Sequence, residues 1–114
     1  LLGAAGLGDI GELFPDTDPA LAGADSLGLL ADAVRRVRAA GWAPVNVDCV
    51  VVAEAPRIAA HKPAMQRRLS EVVGAPVTVK GRRAEGLGAL GRGEGIGCWA
   101  TALVAGAVDA EVAR

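Results

Sequence analysis

The sequence has no tyrosine, one phenylalanine and two tryptophans, so aromatics make up only 3% of its 114 residues. That scarcity removes the stacking platforms on which single-strand nucleic-acid binders hold bases. Charge excludes the other nucleic-acid binders: Lys and Arg total 12 and Asp and Glu 13, the net charge is -1, and no global basic field can draw a polyanion. Nucleic acid is therefore not an expected partner. Two cysteines, Cys49 and Cys98, are too few and too far apart for a disulfide framework or a metal knuckle, and a reducing cytoplasm is the expected compartment. His61 is the sole histidine, and one imidazole cannot make a zinc site. No apolar run approaches the roughly 18 residues of a membrane span, and no basic leader precedes one, so no membrane association is expected. There is also no opening Met: Leu1 to Leu7 is apolar, uncapped and glycine-punctuated, and reads as the end of a helix. We expect the chain to be the C-terminal portion of a longer protein.

What is present suffices for one core. A chain of this length buries roughly 65% of its unfolded surface, and the 52% hydrophobic content fits a single domain over residues 1–114. Asp25 or Ser26 can cap a helix whose Leu27, Leu30, Val34 and Val37 share a face and which Gly41 closes. Arg35, Arg36 and Arg38 fall on its solvated side. Asn46 to Glu54 reads as a strand, with Val50-Val51-Val52 covered on both faces. A second helix starts at Pro63, turns Met65, Leu69, Val72 and Val73 inward and stops at Gly74. Val77 to Val79 reads as another strand. Ile96 to Val108 is strand or helix by periodicity alone. Strands separated by helices give an α+β layer fold, helices covering one face of a small sheet.

Asp9 to Pro19 is the stretch densest in chemistry. Pro15 and Pro19 remove backbone donors and Asp16-Thr17-Asp18 favours local side-chain bonds, so it reads as a loop; either it is a surface turn with capping aspartates, or its carboxylates and Phe14 meet a polyhydroxylated ligand. Two other motifs fail on context. Gly86-Leu87-Gly88-Ala89-Leu90-Gly91 spells a dinucleotide fingerprint but does not join a strand directly to a helix, and the alternation begun by Asp16 and Asp18 breaks at Ala20, where a calcium loop needs another ligand.

Six strings in order carry a resemblance: Gly8-Asp9-Ile10-Gly11, Phe14 to Pro19, Gly23-Ala24-Asp25-Ser26, Asn46-Val47-Asp48, Ala53 to Pro56, and Gly91 to Ile96. From Leu1 to about Val104 the chain resembles the 2-C-methyl-D-erythritol 2,4-cyclodiphosphate synthase family. The resemblance implies a small mixed sheet with the last segment a strand, and a homotrimer around a central axis with active sites between subunits. It implies conversion of 4-diphosphocytidyl-2-C-methyl-D-erythritol 2-phosphate to the cyclodiphosphate and CMP, a lyase reaction of non-mevalonate isoprenoid precursor synthesis. Asp9, Ile10, Gly11, Phe14, Pro15, Asp16, Thr17 and Asp18 would line the methylerythritol part. Ala53, Glu54, Ala55, Pro56, Arg57, Ile58 and Ala59 would form the cytidine pocket. Arg82, Arg83 and Ala84 stand where the family has threonines that clamp the diphosphate; Arg83 and Glu85 would be catalytic, Glu85 as ligand to magnesium or manganese.

The chain also departs from the family pattern. Ala89 stands where an aromatic is usual, beside a proposed isoprenoid cavity on the trimer axis. Zinc ligands, which the family takes from an Asp-x-His and a further His, are absent from this sequence. A non-catalytic member that keeps nucleotide or partner binding is therefore the alternative reading. Arg92 and Glu94, set among glycines, would pair between neighbouring subunits of the trimer or, alternatively, within one chain.

Overall fold

A computed structural model describes residues 1–106. Its centre is a long strand, β1 (Trp42–Val52), flanked by β2 (Val77–Arg82) and β3 (Gly97–Gly106) in the order β2-β1-β3. β1 and β2 run parallel, with Val47 beside Val77 and Val52 beside Arg82; β3 is antiparallel to β1, from Trp42 beside Gly106 to Val52 beside Gly97. A parallel pair needs a crossover, and helix α3 (Lys62–Val73) supplies it.

The sheet is mixed and α+β, as the pattern of apolar residues predicts. Val47, Val77 and Val79 alternate onto one face, where they meet Val34 of helix α2 (Ser26–Ala39) and Val73 of α3. A second cluster joins Leu2, Ala33 and Val37, with Leu13, Phe14 and Val104 packed on it. The outer edge of β2 is covered rather than open. Val77 N–H donates to Ser70 Oγ at 3.0 Å and Val79 N–H to Gln66 Oε1 at 2.9 Å, so two polar residues one turn apart on α3 satisfy two of the strand's outward donors. On the other sheet face, Asp48 accepts from Lys80 Nζ at 3.0 Å, and Trp99 and Leu103 are 61% and 58% exposed.

Several boundaries differ from expectation for identifiable reasons. β1 begins at Trp42, not Asn46, because a register irregularity between Pro44 and Asn46 leaves room for a residue that cannot donate. It ends at Val52, though Ala53 N–H still reaches the Arg82 carbonyl at 3.0 Å. β2 runs to Arg82 because the parallel ladder continues past Val79. The ambiguous last segment is a strand to Gly106, held by its ladder to β1; Ala107 and Val108 lie outside the described residues. Leu1 to Gly6 forms turns rather than a helix, with Ala5 N–H on the Leu1 carbonyl and Gly6 at φ 73°.

The acidic stretch is not wholly loop. It contains a one-turn helix, α1 (Ile10–Leu13), and leads into a 3-10 turn, Pro19–Leu21. Asp9 and Asp18 cap these through bonds of 2.9 Å from Glu12 N–H and Ala20 N–H, the local competition that short polar side chains offer the backbone.

The two sheet faces can be told apart by mutation. Val79 is 1% exposed, and Val79→Ala should lower stability by about 2 kcal/mol through lost transfer energy and a residual cavity. Thr78→Ala, one residue away on the open face, should stay within about 0.5 kcal/mol. Urea unfolding of both variants checks this, and equal losses would mean that the faces are assigned wrongly.

Candidate active site

Because β1 and β2 are parallel, both end at the same edge, and the crevice beyond the carboxyl ends of such strands is where open sheets take ligands. Here the crevice is a cleft of about 530 Å³. Its floor is Ala53, Lys80 and Gly81, its walls Arg57, then Ile58 and Ala59 of the 3-10 turn that Arg57 precedes (Ile58–Ala60), and Lys62 of α3, and its far rim Arg82 and Arg83. Close packing shapes it. A Cβ on Gly81 would lie 2.8 Å from Ile58 Cβ, so only glycine lets the turn sit against the strand.

Among the described residues the lining carries five cations and no carboxylate. Lys80 is partly neutralised by Asp48 and Arg83 by Glu54, whereas Arg57, Lys62 and Arg82 have no carboxylate partner among the described residues. A small concave site of this sign suits phosphate oxygens, and guanidinium groups bind them with several directed donors.

Just past the cleft, Arg83 to Gly86 makes a turn. Glu54 Oε2 accepts from Arg83 Nη2 at 3.1 Å and Glu54 Oε1 from Gly86 N–H at 3.3 Å. The Gly86 amide above all, then the Arg83 guanidinium, hold the Glu54 carboxyl below the usual glutamate range, while burial works the other way. Glu85, inside the turn, is exposed and has φ 54°. A one-turn helix, α4 (Gly88–Gly91), follows. The glycines before it therefore open no helix long enough for a dinucleotide motif.

Not every expected site residue is at the cleft. Ala53, Arg57, Ile58, Ala59, Arg82 and Arg83 line it; Glu54, Ala55, Pro56, Ala84 and Glu85 stand outside its lining. Asp9 and Ile10 line a second, mostly apolar cavity of about 480 Å³ with Leu30, Val47 and Leu69 among its walls. Phe14 stacks under the Arg36 guanidinium, 5.6 Å from its ring centre, while Pro15, Asp16, Thr17 and Asp18 are exposed. Leu13, Phe14 and Val104 all pack on the Leu2, Ala33 and Val37 cluster, and Val104 pairs with Pro44 near the start of β1, the end away from the cleft. Ala89 is exposed on α4, and Arg92 bonds Glu94 within the chain, the intrachain form of that pair.

Lys62, Lys80 and Gly81 were not legible as site residues. Lys80 and Gly81 become so only once β2 is known to run past Val79, and Lys62 only once the turn before α3 is placed.

The donor sets can be tested against the two metals that the resemblance implies. Among the described residues no three His, Cys, Asp or Glu side chains converge, and His61 is exposed ahead of α3. These residues do not fit zinc. Magnesium asks for only one or two protein carboxylates and completes its shell with water and substrate phosphates, and the exposed Glu85 offers one.

The fold and the cleft define an α+β domain whose cleft carries the charge that phosphate groups pair with. The chain belongs to the YgbB family, whose model matches residues 1–105. The relatives that place it there are 2-C-methyl-D-erythritol 2,4-cyclodiphosphate synthases. That of Bordetella petrii is 58% identical over 108 residues, which cover 92% of this chain and 67% of the relative. Among solved structures, the bifunctional IspDF of Campylobacter jejuni superposes with a TM-score of 0.85 at 40% identity, over 90% of this chain and 29% of that one. A CDP complex of Plasmodium falciparum IspF gives 0.77 at 30% identity, over 92% and 64%. The chain thus spans about two thirds of its curated relative and less of these structures. The resemblance carried by the six motifs, and with it the reading as a cyclodiphosphate synthase, is borne out.

Gly81 offers a test of the cleft. Gly81→Ala overpacks the contact with Ile58, a change that costs about 1 to 3 kcal/mol, and should weaken CMP binding by about tenfold. Unchanged affinity by calorimetry would remove the Ile58–Ala60 turn from the site.

Proposed function

We propose that this chain provides the nucleotide cleft and the carboxylate loop of a 2-C-methyl-D-erythritol 2,4-cyclodiphosphate synthase. The observation that carries the reading is the cleft of five cations beside the Glu85 turn, in a chain of this family. In the reaction, an oxygen of the substrate's 2-phosphate attacks the β-phosphorus, the bond from that phosphorus to the oxygen shared with the α-phosphorus breaks, and CMP leaves with the electron pair. The substrate supplies its own nucleophile. The protein's task is alignment and charge neutralisation.

The residues divide that task. Arg57, Lys62 and Arg82, without a carboxylate partner among the described residues, face the diphosphate, and Arg83 adds donors at the far rim where the family has threonine. Backbone groups of Ala53 to Ala59 read the cytosine edge. Asp9, Asp16 and Asp18 accept from hydroxyls of the methylerythritol part, beside Phe14. Glu85 would hold a magnesium or manganese ion, which when bound offsets charge on the diphosphate. No step is assigned to zinc.

The carboxylate loop and the cleft lie towards opposite ends of β1, which supports a site shared between copies of the chain. A homotrimer fits this. The exposed Trp99 and Leu103 give each copy an apolar surface to cover, of the kind that marks interfaces. Free Cys49 and Cys98 suit a reducing cytoplasm. Among the described residues no helix is long and apolar enough to cross a membrane.

Two substitutions in the full-length protein test the division of roles. Glu85→Gln removes the charge of a cation ligand and should lower Mg²⁺-dependent turnover by on the order of 10²; activity within a few-fold of wild type at limiting Mg²⁺ would sink that role. Asp9→Asn keeps the cap of α1, since asparagine caps as well as aspartate, and leaves the fold intact. It should weaken binding of the cyclic product by roughly 1.5 to 3 kcal/mol, the worth of a charge-assisted bond, while sparing CMP. Equal losses for both ligands, measured by calorimetry, would put Asp9 at the wrong part of the substrate.

A further inference from the structure

We infer that Glu54 is a positioning residue: its carboxylate ties both ends of the Arg83–Gly86 turn to the end of β1 and so sets where the Arg83 guanidinium and the Glu85 carboxylate stand. The consequence for catalysis rests on the function proposed above, but the geometry does not. One side chain spans the turn. Oε2 takes Arg83 Nη2 at 3.1 Å and Oε1 takes Gly86 N–H at 3.3 Å, so the two oxygens are spent on anchor points that bracket Glu85. The Glu54 side chain is only 16% exposed and stands outside the cleft lining, which directs it to the turn rather than to a ligand.

Two further observations agree. Glu85 is the only non-glycine residue with positive φ among those described, and a glutamate stays in that region only where its surroundings fix it. The turn also has backbone packed against it: a Cβ on Gly91 would fall 2.2 Å from the Gly86 carbonyl carbon, so α4 leaves the turn no room to relax. Arg83 keeps most of its function under this constraint. A guanidinium has five donors, the contact with Glu54 uses one nitrogen, and the side chain is half exposed at the rim of the cleft. Glu54 therefore aims the fork without consuming it.

The experiment uses the full-length protein and three readouts. Glu54→Ala should lower kcat about 10²-fold, the scale of a small misplacement of catalytic groups, while the Kd for CDP stays within about threefold. Glu54→Gln keeps one acceptor oxygen, which can take Gly86 N–H while its amide nitrogen, a donor, loses the Arg83 bond, and should remain within about tenfold of wild-type kcat. Amide exchange at Gly86, in protein free of ligand and metal, should be about tenfold or more faster in Glu54→Ala and near wild type in Glu54→Gln. Should the alanine variant not fold, Glu54→Asp, with the same charge one methylene shorter, takes its place in all three measurements. Wild-type kcat in the Ala variant, an equal loss in CDP affinity, or unchanged Gly86 exchange would each overturn the inference. If the wild-type protein does not cyclise the cytidyl substrate, the proposed function fails, and Gly86 exchange alone then decides whether Glu54 holds the turn.

Discussion

The parallel pairing of β1 with β2 is the constraint on which the rest depends. Side by side in the same direction, the two strands deliver Ala53 and Arg82 to one edge, and the Ala53 N–H bond to the Arg82 carbonyl fixes their separation. The same pairing aligns Val47 with Val77, and with Val79 these residues build the apolar face that α2 and α3 cover. A slip of one residue would turn the valines outward and move the cleft residues together. Core and site are thus set by a single register. Ser70 and Gln66 add to it from outside, because each bonds a specific N–H of β2 and fixes α3 along the strand.

Charge is distributed so that the register becomes chemistry. Overall the chain is nearly neutral, yet the cations at the cleft have two carboxylates assigned to them, Asp48 for Lys80 and Glu54 for Arg83, and the remainder face the open volume. Ion pairs with a cation in contact with solvent, as Lys80 and Arg83 are, contribute little to stability, so their effect is better sought in orientation than in folding energy. Glu54 illustrates it: the acceptor is shared between a side chain and a backbone amide, and both belong to the turn that presents Glu85.

Much of this architecture was legible in the residues. The apolar spacing of α2, Pro63 at the start of α3, Gly74 in the left-handed region at its end and the valine-rich strands are local signals, and each produced its element. What was not legible depended on distant partners. Nothing near Ile96 distinguishes strand from helix until β1 is beside it, and nothing near Lys80 marks it as a cleft residue until the ladder with β1 extends past Val79. The acidic stretch shows the converse case. Asp9 and Asp18 act locally as caps, a role composition suggests, and capping leaves one oxygen of each carboxylate for a ligand, so the structural and the functional readings of these aspartates are compatible.

A cleft lined by cations, with no hydroxyl, thiol or imidazole nucleophile among the described residues of its walls, is poor equipment for covalent catalysis. It is adequate for a reaction whose nucleophile and electrophile arrive on one molecule. For such a substrate the barrier lies in bringing two anionic phosphates together, and the groups that matter are those that hold both in line while spreading their charge. This accounts for two features that would otherwise be unrelated: a cleft that concentrates positive charge in a chain with none to spare, and a rim turn held rigid by a carboxylate that does not line the cleft. Diffuse positive charge would bind the diphosphate without aligning it, and alignment without charge would leave the phosphates apart. In the function proposed here, the residues at the ends of β1 and β2 do both.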